Sequence, residues 1–208
     1  MQKRLKKLFW SIQRKNVAKI PTLRVIGGIY KGRNLQMAPL EITRSSKAIL
    51  KESLFNTLSA DIVGANFVEF FAGSGSIGIE ALSRGAKFAL FFEQNKKSFA
   101  VLESNLVNIC KNPSSYKLVF GDTFKEYFVA LKTLETPSIA YIDPPFEMRE
   151  NMQDIYVKCF KMIENLDSNI FNLVVLEHHS TLIIPDKIGS FAYIKTKKFG
   201  KSSLSYFG

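Results

Sequence analysis

From Asn66 onward, short apolar runs alternate with amphipathic stretches, and the first run empties into a glycine-rich loop. The runs Phe67–Phe71, Phe88–Phe92, Tyr116–Phe120, Ile139–Ile142 and Leu173–Leu176 are almost continuously apolar. A strand that is apolar on both faces must be covered on both. These runs therefore predict a parallel sheet with helices on each side. The intervening stretches Ile77–Ser83, Lys97–Ile109, Phe124–Leu131 and Met152–Ile163 carry apolar residues at helical spacing. Two last runs, Phe191–Thr196 and Ser203–Phe207, leave no room between them for a crossover helix, so they pair antiparallel. The fold class is α/β: a seven-stranded, mostly parallel Rossmann-like sheet with an antiparallel closing pair.

The segment before this unit is different. Leu23–Ile26 reads as a short strand, and Gly27-Gly28 with Lys31-Gly32 punctuates a hairpin ending near Leu35. Pro39 breaks the chain, and Ala48, Ile49, Ser53, Leu54 and Leu58 predict a helix from about Lys47 to Ser59. Two parts follow: a basic arm and hairpin at 1–45 and a Rossmann-like domain at 46–208. Residues 1–40 hold ten lysines and arginines and no acid, against a net charge of +11 for all 208 residues. Charge of one sign gathered in one stretch points to a polyanion, and to nucleic acid ahead of a membrane surface. No apolar stretch has the length of a membrane span. Cys110 and Cys159 lie far apart in no metal-ligand spacing, as expected of buried thiols in a reducing cytoplasm, and no metal is expected.

Two motifs carry chemistry. In Glu69-Phe70-Phe71-Ala72-Gly73-Ser74-Gly75-Ser76-Ile77-Gly78 the glycines allow a tight turn and close approach to a ligand, at a helix start with free N–H groups. Glu93 ends the next strand, where a carboxylate can accept hydrogen bonds from ribose hydroxyls. The loop alone suits S-adenosylmethionine (SAM) or a nicotinamide dinucleotide. Glu69, just before it, suits a cationic sulfonium and α-amino group better than a pyrophosphate. Asp122, after the third strand, is placed either to accept from an adenine amino group or to cap a helix. The second motif, Asp143-Pro144-Pro145-Phe146, follows the fourth strand at the carboxyl edge, where ligands gather in open α/β sheets. An exocyclic amine on a base is a poor nucleophile because its lone pair is delocalised into the ring. A carboxylate and a rigidly held carbonyl can bind its two N–H groups and orient the nitrogen, while Phe146 stacks on the base. Together the motifs read as SAM-dependent methyl transfer to an exocyclic nitrogen. His178 and His179 have no metal-like partners in sequence and read as structural.

The chain resembles the bacterial 16S ribosomal RNA guanine-N2 methyltransferases of the RsmD type. The residues that carry the likeness are Arg24-Val25-Ile26-Gly27-Gly28 with Lys31-Gly32-Arg33, then Arg44 with Lys51-Glu52-Ser53-Leu54-Phe55-Asn56. They continue with Phe71-Ala72-Gly73-Ser74-Gly75, Glu80-Ala81-Leu82-Ser83-Arg84-Gly85, Asp143-Pro144-Pro145-Phe146 and the closing Gly200 to Phe207. The chain departs from that family where Ser45 and Ser46 follow Arg44, and where Ala48 and Ile49 stand in place of a charged pair.

The resemblance implies a class I methyltransferase fold and methyl transfer from SAM to one guanine N2 of 16S rRNA during small-subunit assembly. It makes Asp143, Pro144, Pro145 and Phe146 the catalytic loop. Glu69, Phe71, Ala72, Gly73, Ser74, Gly75, Gly78, Glu93 and Asp122 become the SAM site, and Arg24, Lys31, Arg33 and Arg44 the RNA contacts. It also implies a cytoplasmic monomer acting on 16S rRNA in an assembly intermediate, with no stable protein partner and no membrane. The competing readings are an amino methyltransferase for adenine N6 or protein glutamine, and a non-catalytic RNA-binding assembly factor.

Overall fold

The computed structural model describes residues 22–37, 45–145 and 153–208. Strands β1 (Thr22–Arg24) and β2 (Asn34–Gln36) form an antiparallel hairpin. Helix α1 (Ser45–Leu58) follows. Then come β3 (Asn66–Glu69), α2 (Ser76–Ser83), β4 (Phe88–Glu93), α3 (Lys96–Ile109) and β5 (Tyr116–Phe120). The chain continues with α4 (Thr123–Ala130), β6 (Ser138–Ile142), α5 (Gln153–Glu164) and β7 (Phe171–His179). It closes with β8 (Lys187–Ile188), β9 (Phe191–Phe199) and β10 (Ser202–Phe207).

The large sheet has the order β5-β4-β3-β6-β7-β10-β9-β8. Strands β3 to β7 are parallel and β10 runs antiparallel between β7 and β9. This is the expected seven-strand arrangement, with β8 added as a two-residue edge strand that has too few residues to show a pattern in sequence. Strand β3 ends at Glu69, two residues before the apolar run does, because Phe70 and Phe71 already belong to the turn leaving it. The predicted arm at 1–20 lies outside the described residues.

Side chains alternate across the sheet and fill two cores. Phe67, Phe91, Tyr141, Val175 and Leu204 pack under the hairpin, α1, α2 and α3. Val68, Phe92, Ile142, Leu176 and Phe207 pack under α5, with α4 partly buried beside them. Asn95 caps α3, its Oδ1 accepting from the backbone N–H of Lys97 (3.0 Å) and Ser98 (3.1 Å). Both cysteines are buried, and burial pushes the Cys110 thiol up to about 11. Among the described residues no helix is long and apolar enough to cross a membrane.

A buried carboxylate fixes the hairpin to this core. Glu80 in α2 is 0% exposed, and its oxygens accept from the backbone N–H of Ile26 and of Gly27, each at 2.8 Å. Lys51 of α1 (3.3 Å) and Arg84 (2.9 Å) supply the compensating charge. Burial holds the Lys51 ammonium below the ordinary lysine range, and Glu80 offsets part of that. Lys51 also donates to the Arg24 carbonyl at 2.8 Å. One turn further along α2, Ser83 accepts from the Tyr30 N–H through its hydroxyl (2.9 Å) and from the Ile29 N–H through its carbonyl (2.7 Å). A side chain at Gly28 (φ +72°) would meet the Ser83 carbonyl oxygen at 1.7 Å, so only glycine fits there. The three sequence blocks around Arg24–Gly28, Lys51 and Glu80–Gly85 are therefore one contact. Glu80→Ala would strand the buried Lys51 and two N–H groups. It should lower unfolding free energy by about 3–5 kcal/mol. Chemical denaturation checks this, and an unchanged stability would show that the hairpin is held otherwise.

Candidate active site

The loop between β3 and α2 is shaped by its glycines and by two acids. Gly73 has φ +54°, and Gly75 has φ +76° as the left-handed residue at the start of α2. The Gly75 N–H returns to the Ala72 carbonyl (2.7 Å), and the Ala72 N–H reaches the Phe92 carbonyl of β4 (2.9 Å). A Cβ on Gly78 would meet the Phe91 ring at 2.2 Å, so the first turn of α2 sits directly on the sheet. Glu69, 3% exposed, accepts from the Gly78 N–H at 2.9 Å. Glu93 accepts from the Gly73 N–H (2.8 Å) through one oxygen and from the Asn95 N–H (2.6 Å) through the other. The sequence reading gave both acids to the ligand; the structure shows that each also builds the loop.

Asp122 caps α4, accepting from the Phe124 N–H at 3.0 Å. Its neighbour Thr123 donates through its hydroxyl to the Phe70 carbonyl, which ties the start of α4 to the end of β3. The half-buried Phe71 meets Phe124 edge-on, with ring centroids 5.6 Å apart. Ala72 and Ser74 are buried.

Asp143, Pro144 and Pro145 leave β6, the neighbour of β3 on the side away from β4. The registers set Glu69 level with Phe91 of β4 and with Tyr141 of β6. Glu93 and Asp143 each lie two residues beyond that level. They therefore flank the glycine loop at one edge of the sheet, about 10 Å apart by strand spacing. Pro144 is buried, and Asp143 and Pro145 are half-buried. Phe146 lies outside the described residues. Beneath this loop the Tyr141 hydroxyl donates to Glu177 at 2.5 Å.

Other polar residues support the site. Asn105, 2% exposed, donates to the Ser74 carbonyl and to the Gln36 carbonyl, both at 2.9 Å, and accepts from the Gln36 N–H at 2.9 Å. It joins the hairpin to the glycine loop. The sequence reading missed it, although an amide on the buried stripe of Leu102, Leu106 and Ile109 was a usable signal. His178 is bonded through both ring nitrogens, to Ser205 and to the His179 carbonyl, each at 2.8 Å, as suits a structural residue.

The RNA-contact candidates are spread out. Arg24 is exposed and bonds Asn34 (3.3 Å). Lys31 and Arg33 are exposed at the hairpin tip, where Arg33 donates to the Asn108 carbonyl (2.7 Å) near the end of α3. A cleft of about 220 Å³ lies here, between the hairpin tip and the end of α3. Because α2 and α3 start at the carboxyl edge of the sheet and run back, this tip is at the amino edge. The 14 residues of α3 separate it from Glu93 by roughly 20 Å. Arg44 lies outside the described residues.

A SAM-like ligand suits these acids. Glu69, Glu93 and Asp122 offer acceptors for an amino group, two hydroxyls and an exocyclic amine, while acids at the glycine loop oppose a pyrophosphate.

The profile of the family described as Conserved hypothetical protein 95 matches residues 23–208. Ribosomal RNA small subunit methyltransferase D of Haemophilus influenzae is 32% identical over 180 residues, 86% of this chain and 89% of that protein. A solved Escherichia coli structure provisionally named the methyltransferase yhhF superposes with a TM-score of 0.73 at 26% identity, covering 90% of this chain and 97% of its own. A more distant structure, SMU.776, was solved with S-adenosylhomocysteine (SAH). It shares the fold at a TM-score of 0.60 and 14% identity, over 80% of this chain and 50% of its own. The match over nearly all of the described chain, with the motif contacts above, places it in one group: the chain belongs to the Conserved hypothetical protein 95 family, which includes ribosomal RNA small subunit methyltransferase D.

Proposed function

We propose that this protein transfers a methyl group from SAM to the exocyclic N2 of a guanine in 16S rRNA, within a small-subunit assembly intermediate. The observation that carries the reading is the placement of Glu93, the glycine loop and Asp143 on the adjacent strands β4, β3 and β6, at one edge. Family membership supports an rRNA substrate, and the resemblance of the motifs to guanine-N2 methyltransferases is what favours guanine.

SAM, when bound, supplies an electrophilic methyl on a positively charged sulfur. The chain does the rest by holding and orienting. Glu93 accepts from the ribose hydroxyls, Asp122 from the adenine amine, and Glu69 balances the positive end. The loop N–H groups already bonded to Glu69 and Glu93 keep those carboxylates in place without ligand, so little reorganisation is needed on binding. Asp143 and the Pro144 carbonyl accept from the two N–H bonds of the target amine, aim its nitrogen, and favour the positive charge that develops there. Pro144 and Pro145 fix that backbone through their rings. Phe146 receives the unstacked base. The cations Arg24, Lys31, Arg33 and Arg44 contact RNA phosphates, those at the hairpin tip on RNA away from the target base.

Guanine N2 and adenine N6 present the same N–H₂ to these acceptors. Nucleoside analysis after reaction of small-subunit RNA with labelled SAM should give N2-methylguanosine. N6-methyladenosine in its place would overturn the guanine assignment, and no labelled nucleoside at all would favour a non-catalytic assembly factor. Glu93→Ala should weaken SAH binding by about 1–3 kcal/mol by calorimetry. Unchanged affinity in the folded variant would remove Glu93 from the site. Asp143→Ala should retain SAH affinity and lose about 100-fold or more in single-turnover rate. A near-normal rate would reject Asp143 as the amine acceptor.

A further inference from the structure

The last 22 residues, 187–208, contain five lysines and no acid, a second one-signed stretch remote from the basic amino-terminal segment. Two of the five are occupied within the fold. Lys195 lies over the Tyr206 ring at 5.4 Å, and Lys197 donates to the Thr57 hydroxyl of α1 at 2.7 Å. Lys198 and Lys201 are exposed at the β9–β10 turn, and neither forms an ion pair with a described residue.

Topology decides where that turn lies. Ser202, the first residue of β10, is paired with His179 at the carboxyl end of β7 and with Phe199 at the end of β9. The turn between β9 and β10 therefore stands at the carboxyl edge, the edge that carries Asp143. Two strand spacings separate β6 from β10, about 10 Å. The hairpin tip with Lys31 and Arg33 is at the opposite edge.

The turn is also firmly held. The Ser180 hydroxyl donates to the Gly200 carbonyl (2.7 Å) and lies 2.9 Å from the Ser203 hydroxyl. The Ser180 N–H donates to the Lys201 carbonyl (2.8 Å), and Gly200 takes the left-handed turn conformation at φ +65°. A firmly held turn bearing two cations that form no ion pair with a described residue, beside the edge that carries Asp143, suits the phosphate backbone of a strand whose base enters that edge.

We infer that the β9–β10 turn, through Lys198 and Lys201, contacts the phosphates of the RNA strand next to the target base. This rests on the methyltransferase reading for what enters the edge. The contact itself is electrostatic and is read without turnover.

The test compares the wild type with Lys198→Gln/Lys201→Gln and with Lys31→Gln/Arg33→Gln. Affinity for a single-stranded 16S rRNA fragment is measured across salt concentration, SAH affinity by calorimetry, and transfer to small-subunit RNA from labelled SAM. The Lys198/Lys201 variant should keep its SAH affinity and thermal midpoint. Its salt slope for RNA binding should be shallower by about 1.4, the value for two phosphate contacts on a single strand. Its kcat/KM for transfer should fall about 10-fold, and by more than that of the hairpin-tip variant. A wild-type salt slope in the Lys198/Lys201 variant, or no RNA binding by the wild type, would overturn the assignment. A wild type that binds RNA with the expected slope difference but transfers no methyl would leave the surface standing and defeat the functional reading instead.

Discussion

The buried Glu80 carboxylate is the contact on which the amino-terminal half depends. It has no exposure, yet it faces two backbone N–H groups of the hairpin, a lysine from α1 and an arginine from the end of α2. A buried ion pair is weak evidence for net stability, because desolvation offsets most of its attraction. Its effect is on geometry. With Glu80 satisfied, the hairpin lies along α2 in one register, and its second strand is brought to Asn105 and from there to Ser74 in the glycine loop. The hairpin, which carries Arg24, Lys31 and Arg33, is thus joined through the Asn105 side chain to the loop that would hold the cofactor.

The carboxyl edge follows a related economy of acids. Glu69 and Glu93 each accept from N–H groups of the loop, of the turn beside it or of the first turn of α2, so both carboxylates are held in place. A side chain already bonded in its working position has less freedom to lose on binding. Asp143 sits on the other side of the same loop, on the strand next to β3. The sheet thus separates Glu93 from Asp143 by two strand spacings, with the loop between them.

The sheet and its helices were legible because each strand is buried on both faces, which leaves apolar runs that admit few other readings. Helices α1 and α3 began one or two residues from the predicted points, and Asp122 proved to be the helix cap that one of its two readings allowed. The positions of Glu93 and Asp143 at strand ends were readable for the same reason. The partners of Glu80 were not. Hydrogen bonds from Ile26 and Gly27 to a residue more than fifty positions away depend on tertiary packing, and a single glutamate in a helix carries no periodic mark. The amino-terminal charge was plain in composition, but the distance of Lys31 and Arg33 from the edge that carries Asp143 was not, because only the direction of α2 and α3 reveals that the hairpin tip points away. The lysines of β9 and of the β9–β10 turn were hidden by the near-neutral sum of the residues after Arg33, where acids elsewhere cancel them.

The central claim is that this site methylates one guanine of the small-subunit RNA. Mass mapping of 16S rRNA from a strain lacking this gene, and from the same strain carrying the wild type or Asp143→Ala, tests it most directly. The account predicts that one guanine-containing fragment is lighter by a single methyl group in the strain without the gene. It predicts restoration by the wild type and none by the Asp143 variant. A full set of methylated fragments in the strain without the gene, or restoration by Asp143→Ala, would contradict it.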